Sequence, residues 1–527
     1  MAIAWTIYEI VHGNKPPMTH SHPILRPLLL SVVLLLLISP AHAQQKKGSA
    51  FKTSRPPAQS LVMPYNLDAQ LVEAFALVQE ANAGKPLAQH ELGLRYLLGK
   101  GFPADTQKAF FWIARAAAQK LSIAEFNLGI LYINGWGVKW NPFEAFREFS
   151  AAAAQDMPEA LYVTGLMYSE DFVVPRSWSK AYAFIKKAAS LGSDDAKRTQ
   201  VEMERRGLNR VQSDTAAAPK ETALHKQPRD TSFSLVFLDF QADTSTSVPD
   251  TTLVREAFQE LNVTRSVADT TAPAKPVIDS TARAMLFRAA ESGNPEALCV
   301  VGRMYERGTD LPKELMRAGT YYLRAWRMES YRAPGLLWKL TQTETFGREL
   351  ETRSSRNDPD ALYVWAGLTS TGFNQLLNGT QALDLLRRAA TAGHLPAMVE
   401  LGLCYFTGRW TEKDAGTAVQ LWSDARARGS VEAGIRLAMA EVFGEPALKD
   451  TTEALTILRD ASDQGCLLAD VTIGYCYEKG VGVAQNRGEA YRIYHRSMRR
   501  GSETAYRALR RMHDELRPPD AEFRLTD

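Results

Sequence analysis

The stretch Ala124-Glu-Phe-Asn-Leu-Gly129-Ile-Leu-Tyr132-Ile-Asn-Gly135 contains a spacing of small and aromatic residues that recurs along much of the chain. Within two blocks, alanines equivalent to Ala124 follow one another at steps of 36 residues, and one unit is shortened to 28 residues. These alanines are Ala88, Ala124, Ala160, Ala297, Ala333, Ala361, Ala397, Ala433, Ala469 and Ala505. A fixed period of this length indicates a repeat architecture built from small structural units.

Further positions keep this register when they are counted from the alanine. Glycine recurs at plus 5 and plus 11, tyrosine at plus 8, and alanine again at plus 21 and plus 28. The plus-5 glycines are Gly93, Gly129, Gly165, Gly302, Gly402 and Gly474. The plus-21 alanines include Ala109, Ala145, Ala181, Ala418, Ala454 and Ala490. The spacing predicts that each unit consists of one helix, a loop and a second helix.

Each recurrent position has a physical reason within such a helix pair. A glycine inside a helix costs about 1 kcal/mol relative to alanine, so the plus-5 glycine indicates that a second helix approaches closely. We expect the alanines at plus 21 and plus 28 to lie against it, because they share one face of the second helix. The plus-11 glycine ends the first helix in the left-handed conformation. Asp105, Asn141 and Asn486 stand where the second helix begins.

A single helix pair cannot bury its apolar face alone, so the units stack into an all-α solenoid. We expect array one at residues 65–207 and array two at residues 252–517, with end helices at 67–84 and 503–516 and a tail at 518–527. Residues 208–251 are rich in Ser, Thr, Asp and Pro, which is typical of a disordered linker. The apolar segment 232–240 within this linker either packs on the solenoid or docks a partner.

Three segments resemble the Sel-one-like repeat (SLR), a relative of the tetratricopeptide repeat. They are Leu92-Gly-Leu-Arg-Tyr96-Leu-Leu-Gly99, Leu128-Gly-Ile-Leu-Tyr132-Ile-Asn-Gly135-Trp-Gly-Val138 and Ile473-Gly-Tyr-Cys-Tyr477-Glu-Lys-Gly480-Val-Gly-Val483. The resemblance implies a right-handed, tetratricopeptide-like α-solenoid. It also implies adaptor or assembly work in signalling, envelope and quality-control complexes.

The N-terminus has the pattern of an export signal. Residues 28–38 form an uncharged apolar run, too short to span a bilayer, which needs about 20 residues, but of the length of a signal-peptide core. Arg26 precedes the run, and Ala41-His42-Ala43 supplies the small residues of a cleavage site. We therefore expect a signal region at 1–43, cleavage after Ala43 and a flexible linker at 44–64. Either Met18 is the start, or the first 17 residues form a long n-region.

Composition and motifs exclude several classes of function. The net charge of +3 is too small to indicate nucleic acid as the partner. No motif for catalysis, a cofactor or a metal occurs, so we expect a non-catalytic protein without cofactors. Cys466 and Cys476 are roughly 15 Å apart along a helix, beyond the reach of a disulfide. We interpret these and the other two cysteines, Cys299 and Cys404, as buried free thiols.

Two surfaces are candidates for binding. Positions plus 3, plus 7 and plus 10 of the first helices vary while the core repeats, so they form either a peptide groove or contacts between units. The candidate groove residues are Glu91, Arg95, Asn127, Leu131, Asn134, Val163, Met167, Glu170, Met304 and Arg307. The last unit is basic, which suits either an acidic partner or a solvated face. This basic patch comprises Arg492, Arg496, Arg499, Arg500, Arg507, Arg510 and Arg511.

The sequence thus favours an exported, periplasmic or secreted scaffold that is monomeric and binds a protein or peptide. After cleavage of the signal no segment is apolar enough to span a membrane. One alternative is an enzyme or binder of cell-wall polymers such as peptidoglycan. Another is a structural envelope protein that is held through its basic C-terminal unit.

Overall fold

The computed structural model describes residues 65–210, 280–373, 377–445, 448 and 450–525. The predicted signal region, the linker at 44–64, the segment 232–240 and the start of array two at 252–279 lie outside these residues. Within the described ranges the chain forms helices and no strand, which confirms the all-α solenoid. The α-helices are α1 Tyr65–Asn82, α2 Pro86–Leu98, α3 Thr106–Ala117, α4 Ser122–Asn134, α5 Pro142–Ala154, α6 Pro158–Ser169, α7 Trp178–Ser190, α8 Asp194–Arg205, α9 Ser280–Glu291, α10 Pro295–Arg307, α11 Leu315–Arg327, α12 Ala333–Thr341, α13 Phe346–Ser355, α14 Pro359–Ser370, α15 Gly379–Thr391, α16 Leu395–Thr407, α17 Ala415–Ala427, α18 Val431–Val442, α19 Thr451–Asp463, α20 Leu467–Lys479, α21 Arg487–Arg499 and α22 Glu503–Asp514.

The ends of the helices lie where the repeat pattern places them. Gly135 caps α4 in the left-handed conformation with φ of 66°, and the equivalent Gly99 and Gly480 do the same. The side chain of Asn141 accepts hydrogen bonds from the backbone N–H groups of Phe143 and Glu144 at the start of α5. These caps satisfy backbone groups that a helix end leaves without partners, so the loop length within each unit is fixed locally.

The shortened unit between Ala333 and Ala361 consists of two short helices. Helices α12 and α13 have nine and ten residues, whereas the helices of the regular pairs have 12 or 13. Ala333 is nevertheless fully buried, as are Leu337 and Leu340 on the same face of α12. The unit therefore packs in the stack like the others, although each of its two helices is shorter than those of the regular pairs.

The contact inside each pair differs from the expected packing of small residues on small residues. The plus-5 glycine receives a large side chain at plus 25 of the second helix. A Cβ atom on Gly129 would lie 2.6 Å from Phe149 Cε1, and one on Gly165 would lie 2.8 Å from Ile185 Cγ1. The alanines at plus 21 and plus 28 are fully buried, as at Ala145. In two units the plus-21 alanine also takes part in the contact, because a Cβ atom on Gly93 would lie 3.1 Å from the carbonyl oxygen of Ala109, and one on Gly165 would lie 3.1 Å from that of Ala181. The prediction of close approach is correct, but the sequence did not reveal the large plus-25 side chain that fills most of the space.

Array two curls until its first units contact its last ones. Asn294 Nδ2 in the turn before α10 donates to the carbonyl of Gln464, 170 residues further along the chain, at 2.9 Å. The hydroxyls of Ser502 and Thr504 donate to the carboxylate of Glu329 from the turn after α11. The superhelix of array two is therefore closed by its own side chains along its inner face.

Array one packs against the last unit of array two. The backbone carbonyl of Asn134 at the end of α4 lies so close to Gly488 on α21 that a Cβ there would collide with it. His495 Nε2 on α21 lies 2.9 Å from the carboxylate of Glu170, just after α6. The sequence does not reveal this contact, because the residues are more than 300 positions apart and belong to no common repeat position.

Candidate partner-binding surfaces

Most of the ten candidate groove residues lie in the interior. Asn127, Leu131, Asn134, Val163, Met167 and Met304 are buried, so these six side chains are not exposed to an outside peptide. They fill contacts between units and between the arrays, and contacts between units were the alternative interpretation of these positions. Their burial follows from packing between neighbouring units, as for Leu131, and from the contact with the last unit of array two, as for Asn134. The pattern within a single repeat gives no information about either arrangement, because both involve residues of different units.

The other four groove residues reach solvent to different degrees. Glu91 and Arg307 are exposed, whereas Arg95 and Glu170 are half-buried. Arg95 pairs with Glu91 on its own helix, at 2.9 Å, and with Glu73 on α1. Glu170 pairs instead with His495 of array two. Arg95 and Glu170 thus belong to ion pairs at separate places on the protein.

The basic patch is largely paired within the protein. Arg511 donates through Nη1 and Nη2 to the two carboxylate oxygens of Glu478, each at 2.6 Å. Arg510 Nη1 donates to the backbone carbonyl of Asp171 in array one, at 3.0 Å. Arg507 forms an exposed pair with Glu503 on its own helix. The pairs to Glu478 and Asp171 show that basic residues here stabilise the last unit and its contact with array one.

The remaining basic residues lie on α21. Arg496 and Arg500 both pair with the buried carboxylate of Asp470, at 3.1 and 3.4 Å. The guanidinium of Arg492 lies 5.9 Å from the ring centre of Trp136 in array one. Arg499 is half-buried. Carboxylates of the protein itself thus neutralise much of the positive charge that the sequence suggested for an outside partner.

A buried ion cluster lies on the inner face of array two. Arg327 donates through Nη1 to Glu400 Oε2 at 2.8 Å and through Nε to Glu432 Oε1 at 2.5 Å. Burial raises the pKa of Glu400 to about 7, against the opposing effect of Arg327. At Glu432 burial also favours a higher pKa, but the positive charges of Arg327, Arg324 and Arg436 outweigh this effect. The pKa of Glu432 therefore lies below its ordinary value. The cluster joins helices α11, α16 and α18 and fills the space that a groove would need.

An open cleft lies where the closed superhelix brings distant turns together. It has a volume of about 510 Å³ and is lined by the end of α9, the turn before α18 and the helix α19. Its lining residues include Arg288, Arg426, Val431, Ile457, Asp460 and Gln464. We call this surface the mouth cleft. Sequence reasoning missed it, because its walls come from units more than 130 residues apart and the repeat gives no signal for their meeting.

A second, more polar cleft adjoins the mouth cleft at Gly429 and Ser430. Its volume is about 310 Å³, and its walls carry ion pairs such as that between Arg324 and Glu291, at 3.1 Å. His394 Nε2 lies 3.2 Å from Asp360 Oδ1 on another wall. The charges of this cleft are thus partnered by one another, whereas the mouth cleft combines charged groups with exposed apolar ones.

The described residues hold no arrangement that indicates catalysis by a metal. No group of three or more His, Cys, Asp or Glu side chains within them is placed to bind a metal ion. All four cysteines are buried and free. Burial raises the pKa of Cys299 and of Cys466 to about 12, so these thiols do not ionise at neutral pH. Within the same ranges no helix is both long and apolar enough to cross a membrane.

Comparisons with known proteins agree with this architecture. The model of the Sel1 repeat matches seven stretches of the chain, at residues 86–121, 122–157, 158–193, 295–328, 359–394, 395–430 and 468–502. Each of these stretches corresponds to one helix pair or the greater part of one. The shortened unit at α12 and α13 and the unit at α18 and α19 lie outside the matches and keep the same helical arrangement.

Similar proteins include a chitin synthase regulator SKT5 of Malassezia restricta, 29% identical over 152 residues, which are 28% of this chain and 10% of that protein. Protein sel-1 homolog 2 of Mus musculus is 34% identical over 147 residues, 28% of this chain and 21% of that protein. The chain thus spans less than a quarter of either relative. A solved structure, a protective antigen of uropathogenic Escherichia coli strains displaying an SLR fold, is 21% identical, covers 85% of this chain and 91% of that chain, and has a TM-score of 0.30. The chain therefore contains seven Sel1 repeats, each built from a helix pair of the kind described above.

Proposed function

We propose that the chain is an exported, non-catalytic scaffold that binds a protein partner at the mouth cleft of array two. The observation that carries this proposal is the convergence of α9, the turn before α18 and α19 on one open cleft of about 510 Å³. Units of a solenoid commonly combine their surfaces into one extended binding face. The adjoining polar cleft is lined by side chains that pair with one another, whereas the mouth cleft presents exposed apolar and charged side chains from several units together.

The lining of the mouth cleft fits a protein segment with an apolar centre and charged flanks. Val431 is 42% exposed, and Ile457 lies beside it on the wall formed by α19. Arg288 and Asp460 supply opposite charges around these apolar side chains. Protein interfaces commonly combine an apolar centre with a polar rim, which sets the register and excludes wrong partners.

Export rests on the N-terminal sequence. The uncharged run at 28–38 and the small residues Ala41 and Ala43 have the order of a signal peptide and its cleavage site. Expression of the whole chain in the source cell, followed by N-terminal sequencing of the product, tests this part. A mature protein that begins at Gln44 supports export, and an intact N-terminus on a protein of the cell interior contradicts it.

The non-catalytic role rests on the family and on the site. The curated relatives are named as a regulator of an enzyme and as a homolog of another repeat protein, which fits a role in binding other proteins. Assay of the purified chain with peptidoglycan and with a β-lactam separates this role from the wall-polymer alternative. Turnover or covalent labelling would favour that alternative.

Site-specific photo-crosslinking tests the mouth cleft directly. A photoreactive phenylalanine analogue replaces Val431 in the whole chain, which is then irradiated in the source cell. The matched control carries the same analogue at Leu191, which is 45% exposed on array one. We expect a discrete cross-linked protein from position 431 that is absent from position 191 and lost when Arg288→Glu is added. The same set of products from both positions would count against the cleft.

A further inference from the structure

The segment after the last helix folds back onto array one and is anchored there by one side chain. The segment 518–525 contains a short 3₁₀ turn at Ala521–Phe523. Phe523 is fully buried, whereas Asp520, Glu522 and Arg524 around it are exposed. The sequence suggested only a tail here, because a single phenylalanine between charged residues has no periodicity to report. One buried aromatic residue in an otherwise exposed segment is how a short peptide ligand is typically anchored.

The pocket for Phe523 is formed by one face of α5. The ring of Phe523 lies 5.0 Å from that of Phe143 and 6.0 Å from that of Phe146, both in edge-to-face geometry. The guanidinium of Arg147 lies 5.3 Å from the centre of the Phe523 ring. These three residues are spaced three and four positions apart, so they share a face of the helix. Both the aromatic contacts and the cation–π contact select a phenylalanine or a similar ring at this position.

Charged groups recognise the residues beside the anchor. Arg147 Nη2 donates to Asp520 Oδ2 at 2.6 Å, and Arg147 Nε lies 4.0 Å from Glu522 Oε1. Arg517 Nη1 donates to the backbone carbonyl of Phe523 at 2.7 Å. One arginine of array one thus contacts the acidic residues one and three positions before the anchor. The pocket is therefore complementary to a segment in which an acidic residue, any residue, a second acidic residue and a phenylalanine follow one another.

We propose that the α5 pocket is a peptide-binding site for a partner segment of this acidic-x-acidic-Phe pattern, and that the chain's own segment 518–525 occupies it in cis. This site is separate from the mouth cleft and does not depend on the function proposed there. The cis segment is held by one buried side chain and a few polar contacts, and it lies beyond the matched repeats, so its release leaves the helix pairs intact. A tethered competitor acts at an effective concentration in the millimolar range, which weakens a free peptide of micromolar affinity by about 10-fold to 1,000-fold.

Peptide binding to an opened pocket tests the proposal. The probe is the fluorescently labelled peptide Pro-Asp-Ala-Glu-Phe-Arg-Leu, which copies residues 519–525. We expect the whole chain with Phe523→Ala to bind it saturably, and the unaltered chain to bind it at least 10-fold more weakly. A probe with alanine in place of its phenylalanine should not bind. Adding Arg147→Glu should weaken binding at least 10-fold, whereas the matched control Arg198→Glu, a paired and exposed arginine of array one, should not change it.

A second measurement keeps the test decisive if Phe523→Ala fails to fold. A spin label on Ala521→Cys in the otherwise unaltered chain reports the mobility of the segment, since the four native cysteines are buried. We expect excess peptide to mobilise the label. An immobile label at millimolar peptide, or a folded Phe523→Ala chain that binds no peptide, would overturn the proposal. Dimers that grow with concentration and vanish with Phe523→Ala would assign the pocket to a second copy of the chain and overturn it as well.

Discussion

Gly129 lies directly beneath the ring of Phe149, so close that a Cβ atom on the glycine would come 2.6 Å from Phe149 Cε1. Phe149 is 1% exposed and packs against Phe126 with a ring-centre distance of 5.5 Å. Five other plus-5 glycines are covered in the same way by the residue at plus 25. The pairs are Gly93 with Ile113, Gly165 with Ile185, Gly302 with Tyr322, Gly402 with Trp422, and Gly474 with Tyr494. This contact between a glycine and a large side chain is the repeated centre of the helix pair.

The first prediction concerns this contact. Gly129→Ala gains about 1 kcal/mol of helix propensity but forces the rigid ring of Phe149 to move, and overpacking of a core costs about 1–3 kcal/mol. We expect a net loss of up to about 2 kcal/mol in the free energy of unfolding, measured by urea denaturation. Gly335→Ala on α12 is the matched control, because a Cβ there meets nothing within 4 Å. This control should gain about 0.5–1 kcal/mol. A gain at both positions would refute the packing role of Gly129.

Much of the fold could be predicted from the sequence because the repeat is local. A plus-5 glycine such as Gly93 marks where the second helix approaches closely, and a plus-11 glycine such as Gly99 marks where the first helix ends. Both features depend only on a few neighbouring residues. The partner at plus 25 could not be identified from the spacing, because Ile113, Phe149 and Trp422 are all large and apolar but differ in identity and size. A constant small residue is visible in the spacing, whereas the variable large residue that it accommodates is not.

The second prediction concerns the buried ion cluster. Arg327 and Glu400 are fully buried, and Glu432 is almost so. Arg327→Met would leave the charge of Glu432 without its nearest partner, and breaking a buried pair in this way costs about 3–5 kcal/mol. We expect the midpoint of denaturant unfolding of array two to fall accordingly. Arg426→Met, which removes an exposed pair with Glu453 at 3.0 Å, is the control and should cost less than about 1 kcal/mol. Similar losses from both variants would contradict this account.

The third prediction concerns the cysteines. Cys299, Cys404, Cys466 and Cys476 are buried, and burial raises the pKa of the Cys476 thiol to about 11. Because the thiolate is the reactive form, the native chain should react with a thiol reagent at least 100-fold more slowly than the chain in 6 M denaturant at about pH 8. Absorbance of the released thiol measures both rates. Rapid labelling of the native chain, or fewer than four reactive thiols after unfolding, would contradict the interpretation of free buried thiols.

The binding surfaces were predicted less well than the fold, for a geometric reason. Residues such as Leu131 and Met167 lie on the face of the first helices that the repeat leaves free, so a local pattern marks them as a groove. Neighbouring units of array one and the docking of α21 on array one then bury this face. The mouth cleft arises from the curl of array two, because Arg288 and Val431 belong to different units. Superhelix closure depends on the sum of small rotations between units, and no single repeat encodes it.

The last prediction concerns pH and the contact between the arrays. His513 on α22 is 1% exposed, stacks on Phe172 of array one at 5.2 Å and lies edge-on to Trp140 at 5.3 Å. Burial lowers its pKa to about 4, although a hydrogen bond to the carbonyl of Leu509 and the nearby carboxylate of Glu170 oppose the shift. Between pH 6.5, the ordinary pKa of histidine, and about pH 4, the unfolded chain therefore binds a proton that the native chain excludes. The stability from neutral His513 is complete above pH 6.5 and is lost as the pH falls through this window.

His513→Phe keeps an aromatic ring at this contact and removes the titration. Relative to this variant, the unaltered chain should lose about 2–3 kcal/mol between pH 7 and pH 4, and the difference between the two should be constant above pH 7. Tryptophan fluorescence during denaturant titration measures the stability at each pH. The comparison is needed because burial raises the pKa of Glu148 and of Glu400 to about 7, and their contributions change with the opposite sign as the pH falls. Stability curves that stay parallel from pH 7 to pH 4 would show that His513 is not buried between the arrays, because a histidine exposed to water would take up the proton equally in both states.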